Sequence, residues 1–223
     1  MRQPDNETVG RIFDTLSRRY DTQIDWWERR IMGRPRQWAV PRAEGRVLEL
    51  AVGTGLNLPL YGPQVTSVLG IDLSDKMLDI ARTRIADLQL NHATVRRGDV
   101  QALDLPDDSI DTVVSTLTFC TIPDPLQASR EAFRVLVPGG RIVLAEHGPA
   151  TNRVAATLMR MVEPLTVRFG ADHLTRDPVP YLEDAGFVVD EVHRVGAMGV
   201  GFRVVAHKPA DRRSGRARSS TVD

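Results

Sequence analysis

The chain has 223 residues, 42% hydrophobic and 26% charged, a globular composition that excludes disordered and collagen-like sequences. Its 29 basic residues are matched by 29 acidic ones. The overall positive field of a nucleic-acid binder is therefore missing, and no nucleic-acid partner is expected. A chain this long buries roughly 70% of the surface its unfolded form exposes, and its one cysteine, Cys120, cannot form an internal bridge, so a single disulfide-free domain is expected.

Residues 1–42 read as helical. Val9, Ile12, Phe13, Leu16 and Tyr20 recur at helical spacing, and Ile24, Trp27 and Ile31 start a second stripe after Asp21, which predicts a helix pair packed on the core. The segment holds all three tryptophans, with nine arginines against six acidic residues, a mixture that also suits a lid over the substrate or a face touching a membrane. From Arg46 the pattern changes to short apolar runs, predicted strands at 47–51, 68–71, 93–95, 110–115 and 142–145, with helices at 75–88 and 125–136 between them. Ser74 is the expected N-cap of the first of these helices. Such alternation predicts an α/β fold, a parallel sheet with helices on both faces.

The stretch 151–169 carries Val154, Leu158, Met161, Val162, Leu165 and Phe169 at helical spacing. It reads as core, or as the roof of a lipophilic acceptor pocket. Two further runs, 187–195 and 201–207, are joined by the short link 196–200, too short for a parallel crossover, so they are expected to pair antiparallel. The division is then an N-terminal helical lid at 1–42, a catalytic domain at 43–208 and an Arg-rich tail at 209–223 that is too polar to pack. No apolar run reaches the ~18–20 residues of a membrane-spanning helix, and the start has no apolar signal segment, so a cytoplasmic location is the default.

The chemistry begins where the first strand runs into Ala51-Val-Gly53-Thr54-Gly55-Leu-Asn57. Small residues at 51, 53 and 55 permit a sharp strand-to-helix turn and close approach of a ligand to the backbone. Asp72 ends the second apolar run, 17 residues after Gly55, where its carboxylate can accept hydrogen bonds from both hydroxyls of a ribose. A dinucleotide fold needs Gly or Ala at the third position of its glycine pattern, yet Leu58 stands there. Glu49, just before the turn, would repel a diphosphate but suits a cationic sulfonium. Both features favour S-adenosylmethionine over NAD.

With these residues the sequence resembles the class I S-adenosylmethionine-dependent methyltransferases. Gly98-Asp99-Val100, Leu105-Pro-Asp-Asp-Ser-Ile-Asp111 and Leu136-Val-Pro-Gly-Gly-Arg141 follow in the family's order, and the likeness spans about residues 46–147. Within the family the chain is most similar to the phosphatidylethanolamine N-methyltransferase, quinone-methyltransferase and thiol-methyltransferase group, through Arg19-Tyr20-Asp21, the 53–59 loop, Ser115 to Pro125, Glu146-His147 and His173-Leu-Thr-Arg-Asp177. The resemblance implies a Rossmann-like, doubly wound seven-strand sheet with the last strand antiparallel, capped by the N-terminal helices and an insertion between strands five and six. It implies that Glu49 and the loop Ala51, Gly53, Thr54, Gly55 and Asn57 hold the methionine part and Asp72 the ribose. Leu73 and Met77 would face the adenine, Asp99 and Val100 its edge, with Thr116 near the sulfonium and Tyr20 closing over the cofactor. Ala51 replaces the family's glycine and is tolerable if its φ stays negative.

On the acceptor side His147, at the end of the fifth strand, is the candidate base, and His173 lies where the family inserts acceptor-site elements. Arg176 reads as a surface ion pair or a contact to an anionic acceptor group, and Cys120 as a small packing residue without an activating partner. No spacing of His, Cys and carboxylates suggests a metal. The expected activity is in-line methyl transfer to a lipophilic small molecule: a quinone or phenolic intermediate, a lipid headgroup amine or a thiol. A catalyst of cyclisation or rearrangement that binds the same cofactor is the alternative, and an NAD-dependent oxidoreductase is a more distant one. Peripheral membrane contact would run through residues 1–42.

Overall fold

The structure, a computed structural model, describes residues 4–210. The tail expected at 209–223 lies almost entirely outside the described residues. The seven strands are β1 (Gly45–Leu50), β2 (Val65–Asp72), β3 (Ala93–Arg97), β4 (Ile110–Thr116), β5 (Leu136–His147), β6 (Val188–Val195) and β7 (Gly201–His207). They form one sheet in the order β3-β2-β1-β4-β5-β7-β6. β1 pairs parallel with β2 and β4, whereas β7 runs antiparallel to β5 and also to β6, the latter as the short 196–200 link requires. The central strands are buried on both faces because period-2 alternation feeds two cores. Leu48, Leu50 and Val113 enter one core, and Val47, Val68 and Val114 the other.

The helices are α1 (Asn6–Arg30), α2 (Pro35–Ala39), α3 (Asp75–Asp87), α4 (Pro125–Val135), α5 (Arg153–Gly170) and α6 (Val179–Ala185). The Ser74 side chain caps α3 by accepting from the Met77 N–H, as expected. The expected break at Asp21 does not occur. α1 continues for 25 residues, because the Asp21 carboxylate, instead of capping a new helix, receives the Thr54 hydroxyl at 2.6 Å and the Arg84 guanidinium at 2.6 Å.

The α5 stripe also departs from expectation. Val154, Leu158, Met161, Leu165 and Phe169 are exposed, the first and last to 70% and 71%, so they are neither core nor the roof of a pocket. α5 packs through Ala155, Ala156 and Met159 instead, on the opposite side of the helix. The three tryptophans do not form one unit: Trp26 and Trp27 are exposed, while Trp38 is stacked under the Arg42 guanidinium.

At the turn after β1, Gly53 and Gly55 have φ of +56° and +77°, and Ala51 itself stands at φ +47°, contrary to the negative φ expected of it. A Cβ at Gly55 would come 2.8 Å from Leu58 Cδ1, so that glycine is required by packing as well as by dihedral. Left-handed backbone costs a non-glycine residue about 1–2 kcal/mol, partly offset by the ~0.4–1 kcal/mol that alanine saves in the unfolded chain. Ala51→Gly is therefore expected to raise unfolding free energy by about 0.5–1 kcal/mol in urea titrations.

Candidate functional site

The strand order reverses between β1 and β4, the position at which open α/β sheets bind ligands beyond their carboxyl ends. A cleft opens there, enclosed by α1, the turn after β1, the end of β2 and the residues that follow β3 and β4. α1 lies across it, and Val9, Gly10, Phe13 and Tyr20 form its upper wall. The helix is fastened along one face by polar side chains at nearly regular spacing. Asn6 Nδ2 donates to Asp99 Oδ2 at 2.6 Å, Asp14 accepts from Ser74 Oγ at 2.5 Å, Asp21 binds Thr54 and Arg84, and Glu28 pairs with Arg36 at 2.6 Å. Every one of these partners belongs to a segment outside α1, so the helix is held as a cover and not as a free arm.

The fold brings eight of the expected residues onto the cleft: Tyr20, Ala51, Gly53, Asp72, Leu73, Met77, Asp99 and Val100. Asp72 sits at the end of β2 with 9% exposure. Its two oxygens accept the Gly53 and Ser74 N–H groups, each at 2.8 Å, which leaves each oxygen a further lone pair. Burial raises its pKa against these two N–H donors. Asp99 accepts from the Gln101 N–H and side chain at 2.8 and 2.9 Å as well as from Asn6. Burial also pushes the Tyr20 hydroxyl up to about 12, so it remains protonated.

Four other expected residues, in two groups, stand off the cleft. Thr54 and Gly55 shape the turn through Asp21 and Leu58. His147 and His173 lie behind the wall formed by residues 117–123. The His147 Nε2 is 3.1 Å from Asp172 Oδ1. Burial disfavours its imidazolium, but the adjacent carboxylate outweighs that and raises its pKa, while the Asp172 carboxyl is lowered by the same pairing in spite of its own burial. His173 Nδ1 faces Glu163 at 3.6 Å, and burial followed by the Arg176 charge lowers its pKa.

Two acceptor-side expectations need correction. Arg176 is neither a surface ion pair nor an open anion contact: it is buried and donates from Nη1 to the Phe119 and Ile122 carbonyls at 2.7 and 2.6 Å, tying down the loop between β4 and α4. Cys120 has close polar neighbours after all, since its Sγ lies within 4.8 Å of ligand atoms of both His147 and Asp172. Burial and the Asp172 charge raise its thiol pKa well above the ordinary value. Glu146 anchors the same loop, accepting from Ser115 Oγ and the Thr118 N–H at 2.7 Å and from the Phe119 N–H at 3.1 Å.

Glu49, Asn57 and Thr116 belong to a buried network that sequence patterns did not connect. Asn57 donates to Glu49 Oε1 and Thr116 Oγ1, each at 3.0 Å, and accepts from Arg36 Nη1 at 3.0 Å. Arg36 also donates to Thr116 Oγ1 at 3.1 Å and to Glu28 at 2.6 Å, and Tyr61 donates its hydroxyl to Glu49 Oε2 at 2.7 Å. Glu49 therefore supports the turn from behind and is not on the cleft surface. Arg36 carried no sequence signal, being one arginine among 29 basic residues. Burial pushes the Glu49 carboxyl up to about 7 against its hydrogen bonds and Arg36. An acid whose folded pKa exceeds its unfolded value of about 4.3 binds protons preferentially in the native state, so stability falls as pH rises from about 4.5 to 7 and is then level. Glu49→Gln should remove on the order of 3 kcal/mol of that fall, read as the difference between variant and wild type in urea unfolding at pH 5 and pH 8.

A family model described as a methyltransferase domain matches residues 48–144. Phosphatidylethanolamine N-methyltransferase of Cereibacter sphaeroides is 38% identical over 142 residues, 60% of this chain and 69% of that protein. Demethylmenaquinone methyltransferase of Deinococcus radiodurans is 32% identical over 218 residues, 91% and 88% of the two chains. Among solved structures, an S-adenosylmethionine-dependent methyltransferase from Mesorhizobium loti shares the fold with a TM-score of 0.60 at 23% identity, covering 75% of this chain and 93% of the other. The cyclase SpnF does so with a TM-score of 0.68 at 17% identity, covering 94% and 99%. The domain match, the relatives' identity over most of their length and the fold agree, and the chain belongs to the class I S-adenosylmethionine-dependent methyltransferases.

Proposed function

We propose that this methyltransferase acts on a nucleophile of a lipophilic small molecule, a quinol or phenol, a lipid headgroup amine or a thiol, received under α1. The observation that carries this reading is the apolar wall of the cleft, with Val9 and Phe13 on α1 facing Leu117 and Ile122 beyond the end of β4. S-adenosylmethionine supplies a methyl group already activated for displacement. The protein's part is alignment and exclusion of water. In this reading Asp72 accepts the ribose hydroxyls with its free lone pairs. Leu73, Met77 and Val100 bracket the adenine, Asp99 takes its edge, and Ala51 and Gly53 let the methionine part approach the backbone. Tyr20 closes the cleft from α1. Glu49, Thr54, Gly55, Asn57 and Thr116 hold the turn in shape. His147 and His173 act through the 117–123 wall they support, not as a base on the acceptor.

A lipid surface fits as the source of the acceptor. The exposed α5 stripe is flanked by Arg153, Arg160 and Arg168, and the helix's one acid, Glu163, is engaged by Thr175. Phe169 lines a surface depression together with Ile12 and Leu16 of α1, so the stripe adjoins the covering helix, and apolar residues flanked by arginines suit an anionic bilayer. No described helix is long and apolar enough to cross a membrane.

The deciding experiment is labelled methyl transfer from S-adenosylmethionine into separated lipid, quinol, phenol and thiol pools, each presented free and in vesicles containing phosphatidylglycerol. Label entering one lipophilic pool, faster from vesicles, is the expected outcome. Label entering only water-soluble acceptors, or turnover supported equally by S-adenosylhomocysteine, would overturn the reading. Asp72→Ala is expected to weaken S-adenosylmethionine binding about 10- to 100-fold by calorimetry, since hydrogen bonds to a charged acceptor are lost.

A further inference from the structure

Cys120, His147 and Asp172 come from three separate segments: the loop after β4, the last residue of β5, and the segment following α5. One ligand atom from each lies within 4.8 Å of the others. We propose that these three side chains form a binding site for a zinc-class divalent cation, lodged behind the wall of the cleft. Thiolate, imidazole and carboxylate together are the donor set of zinc and its neighbours and do not suit magnesium or calcium, which take oxygen alone.

Distances agree with this assignment. Two ligands bound at ~2.0–2.1 Å to one tetrahedral ion stand about 3.3 Å apart, and His147 Nε2 is 3.1 Å from Asp172 Oδ1. That approach is short enough for a hydrogen bond, yet Asp172 Oδ1 is enclosed and receives no directed hydrogen bond. The two groups pair through charge when the imidazole carries a proton, and a bound cation would take that proton's place between them.

The surroundings hold the three donors in place without using them up. The His173 N–H donates to the Cys120 carbonyl at 3.0 Å, and Arg176 clamps the carbonyls of Phe119 and Ile122 on either side. The Glu146 carboxylate is occupied by Ser115, Thr118 and Phe119, which leaves it out of the donor set. Three protein ligands leave a fourth position for water or an incoming donor. Because Thr121 and Ile122, next to Cys120, line the cleft, the ion would brace the wall against which the acceptor rests.

The test uses the full chain, stripped with chelator and then loaded with Zn²⁺ or Co²⁺, without cofactor or acceptor, so its outcome is independent of the acceptor reading. One equivalent of zinc should survive dialysis, and the cobalt form should show thiolate-to-metal charge-transfer absorption. Cys120→Ser should lose that absorption, and Asp172→Asn should lose stoichiometric zinc while keeping the wild-type circular dichroism. The surface pairs His193–Glu191 and His207–Asp190 have no thiolate and cannot give the band. Failure of the wild type to retain zinc, or stoichiometric zinc retained by both Cys120→Ser and Asp172→Asn, would overturn the proposal and leave the cluster as a staple between loops. If Cys120→Ser does not fold, retention by the wild type and by Asp172→Asn still decides.

Discussion

Arg36 is enclosed, with 6% of its surface exposed, between Glu28 of α1 and the polar groups at the ends of β1 and β4. The cleft depends on this one buried cation. Removing a charge from water is expensive unless its hydrogen bonds are replaced. Here the guanidinium fork meets a carboxylate on one side and Asn57 and Thr116 on the other. Asn57 then passes the constraint to Glu49, and Tyr61 completes the Glu49 carboxylate. A polar network this deep is favourable only when all its members are satisfied together. It therefore couples the seating of α1 to the shape of the glycine turn.

The remaining clasps of α1 extend the same logic. Asp14, Asp21 and Glu28 recur every seven residues on one face, and each reaches a different part of the nucleotide-fold framework. Between them Phe13 and Tyr20, also seven apart, turn apolar surface into the cleft, their rings in edge contact at 6.3 Å. Gly10 lies over the Leu73 carbonyl, and a Cβ there would meet it at 3.5 Å, an ordinary contact distance. One face of a single helix thus supplies both the ties and the wall.

The opposite wall is built from segments far apart in the chain. Glu146 and Arg176 approach the 117–123 loop from β5 and from the segment after α5, and both bind its backbone, one through N–H groups and the other through carbonyls. A loop held by two buried charged groups is a rigid surface for an acceptor to rest on, and the Cys120, His147 and Asp172 cluster lies directly behind it. Outside this rigid centre the exposed α5 stripe is the largest run of apolar side chains that the fold leaves uncovered, on the side of the molecule adjoining α1.

Local rules were enough to read the sheet, its parallel and antiparallel parts, the Ser74 cap and the placement of Asp72, because hydrophobic period, turn residues and link length act over a few neighbouring residues. The turn after β1 and its relation to Asp72 were legible for the same reason: strand, glycine turn and strand-end acid are close in sequence and bear a fixed spatial relation once the strands are parallel. What tertiary structure decided was everything set by pairing across long separations. Asp21 ends a helix in sequence terms, yet Thr54 and Arg84 turn it into a tether. Ala51 is a harmless substitution by size, yet the turn forces it to positive φ. Arg36, Arg176 and the cluster around Cys120 acquire their roles from partners 8 to 80 residues away, and the α5 stripe is a core pattern by period that the fold turns outward. Periodicity reports which side chains share a face. Only packing decides what that face meets.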